Sequence, residues 1–121
     1  MSAPRQVTLA SSFADDLKHL AKKEPDLGQV VTDQLAAIAG CQGRLPGDLI
    51  PGIGGAPVYK VRLACGHRGK RGGYRLIYYC AEQLVRALFI YRKSDEANIH
   101  SKVIANALKA AGLFDLPLQP R

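Results

Sequence analysis

VYKVRLACGHRGKRGGYRLIYYCAEQLVRALFIY, residues 58–91, contains three runs crowded with β-branched and aromatic residues. They are Val58 to Ala64, Tyr74 to Cys80 and Leu84 to Tyr91, separated by short turn-forming segments. Strand formers this close together predict an antiparallel meander. Period-two alternation then assigns faces. Tyr59, Val61 and Leu63 point one way, and Lys60 and Arg62 the other; Arg75 opposes Tyr74, Leu76, Tyr78 and Cys80 in parity. If the apolar sets meet a helical layer, and if the strands pair in the matching register, Lys60, Arg62 and Arg75 converge on a face left open.

The helical layer is expected upstream. After a possible short strand from Gln6 to Ala10, Ser11 or Ser12 caps a stretch where Phe13, Leu17 and Leu20 recur at helical spacing. Asp15 and Asp16 are expected in its first turn and Lys22 and Lys23 in its last, with Pro25 ending it. A second helix is predicted from about Asp26 to Ala39, with Leu27, Val31, Leu35 and Ile38 on one face and Gly40 at its end. So short a connection folds the pair into an antiparallel hairpin. Residues 40–57 carry six glycines and three prolines, and read as a loop without regular structure. Beyond the strands, Ser94 or Asp95 should cap a last helix that turns Ile99, Val103, Ala107 and Leu108 inward and stops at Gly112; the tail LFDLPLQPR packs or frays. The expected fold is therefore α+β, one domain over residues 1–121: an N-terminal helical hairpin on a small antiparallel β-sheet, with a C-terminal helix.

Charge narrows the function. Residues 1–48 hold five Lys/Arg against six Asp/Glu, whereas residues 49–121 hold twelve against four. Between Leu49 and Ala81 there is no acid, yet there are six cations: Lys60, Arg62, Arg68, Lys70, Arg71 and Arg75. Surfaces ordinarily mix both signs, so a single-sign segment points to a polyanionic partner, nucleic acid first. The three cysteines, without paired spacing, fit reduced thiols rather than a disulfide framework or a metal site. No apolar run approaches a membrane span, and MSAPRQVTLASSF has no signal-like apolar core, so a cytoplasmic protein is expected. GHRGKRGG fails as a phosphate-binding P-loop, with Ala64 where glycine is needed and Arg71 where Ser or Thr is needed. No metal or cofactor is expected.

The ordered series VYKVRL, RGKRGGYRLIYY and LFIYRKSDEANI resembles the RelE/HigB branch of the RelE–ParE toxin superfamily, the toxin halves of bacterial toxin–antitoxin pairs. The likeness covers most of the chain and is most specific from Lys60 to Ile99. It implies a RelE-like fold and a metal-independent endoribonuclease that cuts translated messenger RNA in the ribosomal A site. A cognate antitoxin, expected to carry a helix-turn-helix, would hold it in check. By position, Lys60 and Arg62 match the family's paired basic residues, Arg75 the arginine of its GGYR strand, and Arg92 or Lys93 the basic residue after the last strand. Arg71 departs from the usual serine. No histidine or glutamate falls where some relatives carry an acid/base pair. Rival readings are a ParE-like gyrase-inhibiting toxin and a non-catalytic RNA-binding module.

The implied chemistry is consistent with the residues. Cutting RNA without metal requires a base for the 2′-OH, stabilisation of the phosphorane charge and a proton for the leaving oxygen. Crowded like charges favour a neutral lysine, making Lys60 the candidate general base, with Arg62 and Arg75 holding the phosphate through forked donors. Arg92 or Lys93 would assist the leaving group. Arg68, Lys70 and Arg71, on a glycine-rich turn, would meet the RNA backbone. Tyr79 or Tyr91 would stack on a base, unless each is simply a core residue of the sheet.

Overall fold

Five strands in the order β1-β5-β4-β3-β2 form one sheet. The computed structural model describes residues 3–65, 73–96 and 98–113. The chain runs β1 (Gln6–Leu9), α1 (Ser11–Ala21), α2 (Leu27–Ala39), β2 (Asp48–Leu49), β3 (Val58–Leu63), β4 (Tyr74–Ala81), β5 (Leu84–Arg92) and α3 (Ser101–Ala110). The three central strands form the antiparallel meander expected from the sequence. The sheet as a whole is mixed, because β1 adds in parallel beside β5, pairing Gln6 with Leu84 and Leu9 with Ala87. Residues 40–57 are not wholly irregular either: Asp48 and Leu49 pair with Lys60 and Tyr59 at the opposite edge.

The helical hairpin covers one face as its periodicity requires. Phe13, Leu27, Val31, Leu35 and Ile38 are buried with Val61, Leu63, Tyr74, Leu76, Tyr78 and Cys80, while Leu17 and Leu20 pack against them. Each large side chain removed from water there is worth about 1.5–3 kcal/mol. The helix ends differ from expectation. Helix α1 starts at Ser11 with no acid in its first turn, so Asp15 and Asp16 fall later, and Lys22 is its C-cap. Arg5 closes the end of α2: its Nη1 donates to the carbonyls of Ile38 (3.2 Å) and Cys41 (2.8 Å). A cation suits the negative end of a helix. The same guanidinium's Nε donates to the Glu82 carbonyl at 3.0 Å, joining β1 to the β4–β5 turn.

The second face is not left open. Val58, Ile77, Leu88 and Tyr91 form a second apolar cluster there with Ile53 and Ala56 of the connecting loop and Ile104 and Leu108 of α3. The reason lies in β4 itself. YRLIYYCA is apolar on both faces, the pattern of a strand sandwiched between layers. A bulge opposite Ile77 and Tyr78 steps β5 from Phe89 to Ala87 and places Leu88 as the extra residue. That step lets Ile90, Ala87 and Val85 all reach the hairpin side. Helix α3 begins at Ser101, not near Ser94, because residues 92–96 make a turn, with the amides of Asp95 and Glu96 donating to the Arg92 carbonyl. Ile104, rather than Val103, carries the buried side of this helix; Val103 is 46% exposed.

A single buried hydroxyl ties the loop to the sheet. Tyr78 Oη donates to the Pro46 carbonyl at 2.6 Å, and its ring stacks on Tyr59 with centroids 5.4 Å apart. Tyr78→Phe leaves that carbonyl without its donor, and should lower the unfolding free energy by about 1–2 kcal/mol. Urea unfolding monitored by circular dichroism tests this; an unchanged midpoint would mean that water replaces the phenol without cost.

Candidate active site

The strand register brings the predicted cations together. Arg62 pairs with Arg75, which pairs with Tyr91, so these three side chains form one row across β3, β4 and β5. Lys60 pairs with Ile77 in the next row on the same face. Two arginines directly opposite one another in neighbouring strands are an unfavourable pair. Burial grades the cluster: Arg62 is exposed, Lys60 is half-buried, and Arg75 is 5% exposed. The expectation of three cations on an uncovered surface is thus corrected for Arg75. Its Nη1 donates to the carbonyl of Tyr74 at 3.2 Å, within its own strand.

Tyr91 lies beside this charge. Burial pushes its phenol above the ordinary tyrosine range, and the Arg75 charge pulls in the opposite direction. The ring belongs to the second apolar cluster and its Oη has no hydrogen-bond partner. A ring packed in that way is unsuited to stacking on a base. Tyr79 is half-buried and packs against the same cluster.

Arg92 sits elsewhere. It pairs in register with Tyr74, a residue of the hairpin-side core, and so points away from the Lys60 face. Its guanidinium makes a two-pronged bond to Asp95, Nε to Oδ2 at 3.2 Å and Nη2 to Oδ1 at 3.0 Å. That hydrogen bond holds the Asp95 carboxyl below its usual range and raises the arginine in turn. Lys93, the alternative, is exposed just beyond β5. Arg68, Lys70 and Arg71 lie outside the described residues.

Two neighbours of Lys60 escaped sequence reasoning. Asp48 stands directly opposite it across β2–β3, brought there by a strand too short and glycine-flanked to show any periodicity. Asn98, in the approach to α3, accepts a hydrogen bond from Lys60 Nζ at 2.9 Å through Oδ1. Both line a cleft of about 390 Å3 that Lys60 shares with Ile77 and Ile99. Nothing local in sequence marks Asn98, because the contact spans thirty-eight positions.

Gly47 sets this edge. It has φ +91°, and a Cβ there would stand 2.8 Å from the Lys60 carbonyl carbon and 3.1 Å from Val61 Cα. Only glycine lets the loop backbone lie so close to β3 at this backbone angle. The arrangement can bind a phosphodiester from one side through Arg62 and Lys60, with a buried positive charge behind it. Against known families, the model of the RelE toxin of the RelE/RelB toxin–antitoxin system matches residues 36–117, more than half of the chain, and spans every residue of this cluster.

Proposed function

Because the chain belongs to the RelE toxin family, we propose that it is a metal-independent endoribonuclease that cuts messenger RNA in the ribosomal A site. As a toxin of a toxin–antitoxin system, it has a cognate antitoxin as its implied partner; a helix-turn-helix protein is the form we propose for it. No helix among the described residues is long and apolar enough to cross a membrane.

The observation that carries the nuclease reading is the facing pair Arg62 and Arg75, with Lys60 in the adjoining row. Guanidinium groups from neighbouring strands can hold one phosphate between them. In this scheme Arg62 is the outer clamp, holding non-bridging oxygens with its forked donors. Arg75 acts from beneath as a fixed charge, stronger for lying in low dielectric. Lys60 takes the 2′-OH proton. The oxygen then attacks the adjacent phosphorus, the P–O5′ bond breaks, and the products are a 2′,3′-cyclic phosphate and a 5′-OH. Lys93, exposed past the end of β5, is the cation available to the leaving oxygen. Arg92, committed to Asp95 on the opposite face, is not given that part.

Mapping of transcript 5′ ends after induction of the toxin tests the reading. Cuts confined to translated messages, and carrying 5′-OH ends, are the expected result. Stalled gyrase–DNA complexes without such cuts would move the protein to the gyrase-inhibiting branch, and intact messages with unimpaired growth would leave a binding module.

A further inference from the structure

The two edges of the sheet are built differently. The strand order ends in β2 on one side and β1 on the other. Strand β2 is two residues long and carries Asp48. Strand β1, QVTL, holds no charge, and its pairing runs without a bulge. An uncharged, regular edge invites a further strand. The hydrogen bonds of β1 show which of its groups are unused. The amides of Gln6 and Ala10 donate to the carbonyls of Gln83 and Ala87, beside β5. Bonding residues alternate in a parallel pair, so Thr8 also turns its backbone groups to β5, and Val7 and Leu9 turn theirs outward. The side chains of the same two residues are 38% and 44% exposed. Val7 pairs with Val85 and Leu9 with Ala87, both of the hairpin-side core, so the two apolar side chains share that face of the sheet.

We propose that β1 is a self-association edge, on which β1 of a second copy of this chain pairs antiparallel about a two-fold axis. The register follows from the outward groups. Antiparallel strands exchange two hydrogen bonds at every second residue pair. With Thr8 opposite Thr8, Val7 and Leu9 of opposite copies become the bonded pairs, and every outward N–H and C=O of those residues is used. Each Val7 side chain then lies against a Leu9 on the same face, a favourable cross-strand pair. A slip towards the N-terminus would call on the Arg5 amide, which already donates to the Ala39 carbonyl at 2.9 Å. Charge selects the occupant. Residues 1–48, which supply β1 and the hairpin, hold five Lys/Arg against six Asp/Glu, whereas residues 49–121 hold twelve against four. Two copies of a chain of net charge +7 repel least where that excess is missing. An acidic partner would be drawn to the basic half instead. The cations flanking β1 are turned inward: Arg5 to the carbonyls of Ile38, Cys41 and Glu82, and Arg86 to the Thr8 hydroxyl at 3.3 Å. Lys60 and Arg62 lie on β3, three strands away, about 14 Å at the usual spacing, so this pairing leaves the cationic row uncovered.

The association does not depend on what the cationic row does, and its test needs no cleavage. Sedimentation equilibrium of the purified chain, from micromolar to millimolar concentration, should show an average mass rising from 13.1 kDa towards twice that value. Over the same range, hydrogen exchange read by NMR should slow at the Val7 and Leu9 amides by at least about tenfold, while Thr8, bonded to β5, is slow throughout. Val7→Lys and Leu9→Glu should each keep the single-copy mass with an unchanged circular dichroism spectrum, because each sets a charge against an apolar side chain at the edge. Mixed in equal amounts, the two variants should associate again, since the register places the new ammonium opposite the new carboxylate. A single-copy mass at every concentration, with fast exchange at Val7 and Leu9, would overturn the proposal and leave this edge to a different protein. Association that persists in both variants, or that leaves those two amides fast, would overturn it by placing the contact elsewhere. Folded variants that fail to associate when mixed would overturn the register and the proposal with it. Were either variant to unfold, the exchange profile of the original chain decides alone.

Discussion

Lys60→Met is expected to slow RNA cleavage by about a hundredfold to ten-thousandfold, the span lost with a general base. Methionine keeps an unbranched apolar stem along the cleft wall but has no basic nitrogen. Because Lys60 is half-buried and bonded to Asn98 rather than enclosed in the core, the unfolding free energy should change by less than about 1 kcal/mol. Lys60→Arg sharpens the test. Arginine retains the charge but does not give up its proton near neutrality, so it should fare almost as badly as methionine in a single-turnover assay. Recovery to within tenfold of the original rate would show that position 60 needs only a positive charge, and the base would have to be sought elsewhere, with Asp48 across the strand pair a carboxylate to test.

Gly47→Ala should have the largest effect on stability of any change outside the core. The backbone at φ +91° disfavours any L side chain by about 1–2 kcal/mol. The new methyl also meets the main chain of Lys60 and Val61, which cannot turn aside as a flexible side chain would. Overpacking of this kind adds about 1–3 kcal/mol. A loss of about 2–5 kcal/mol in urea unfolding is therefore expected, together with weakened Asp48–Lys60 pairing seen as faster amide exchange in β3. Gly28→Ala serves as the control, since a Cβ there meets nothing within 4 Å and the position lies inside α2. It should stabilise the protein by roughly 0.5–1 kcal/mol. If the two substitutions had equal effects, the close approach at Gly47 would not be holding this edge of the sheet.

The hairpin was legible because its cue is local. Phe13, Leu17 and Leu20, then Leu27, Val31, Leu35 and Ile38, repeat at helical spacing, and all reach the same core. The meander was legible for the same reason, with Val61, Leu63, Leu76 and Tyr78 sharing the face that alternation assigned to them. What sequence could not supply was anything decided by distant partners. Four residues, Gln6–Leu9, look alike whether they pair in parallel or antiparallel fashion, and only the position of β5 settles the matter. The two residues of β2 carry no period at all. Ser94 and Asp95 look like helix caps until Arg92 engages Asp95 and holds the segment as a turn.

The candidate site divides along the same line. Parity assigned Lys60, Arg62 and Arg75 to one side of the sheet, and the register agrees. Parity took the run containing Ile77 as apolar on one side only, and so left the second face bare. Ile77 in fact points to that face and requires a cover, which α3 and the Ile53 loop provide. Asn98 was hidden for a different reason: an asparagine in a connecting segment acquires meaning only when a lysine thirty-eight positions earlier is folded against it.

The parallel pairing of β1 beside β5 has a consequence for synthesis of the chain. Residues 6–9 are made seventy-eight positions ahead of their neighbours, residues 84–87. Contacts of such long sequence separation form late, after the loop between them has been closed. A nascent polypeptide therefore cannot finish its sheet, or fix the strands that carry its cationic row, until β5 has left the ribosome that makes it. Any activity that needs the completed sheet waits for β5, which gives a partner already present the first opportunity to meet the chain.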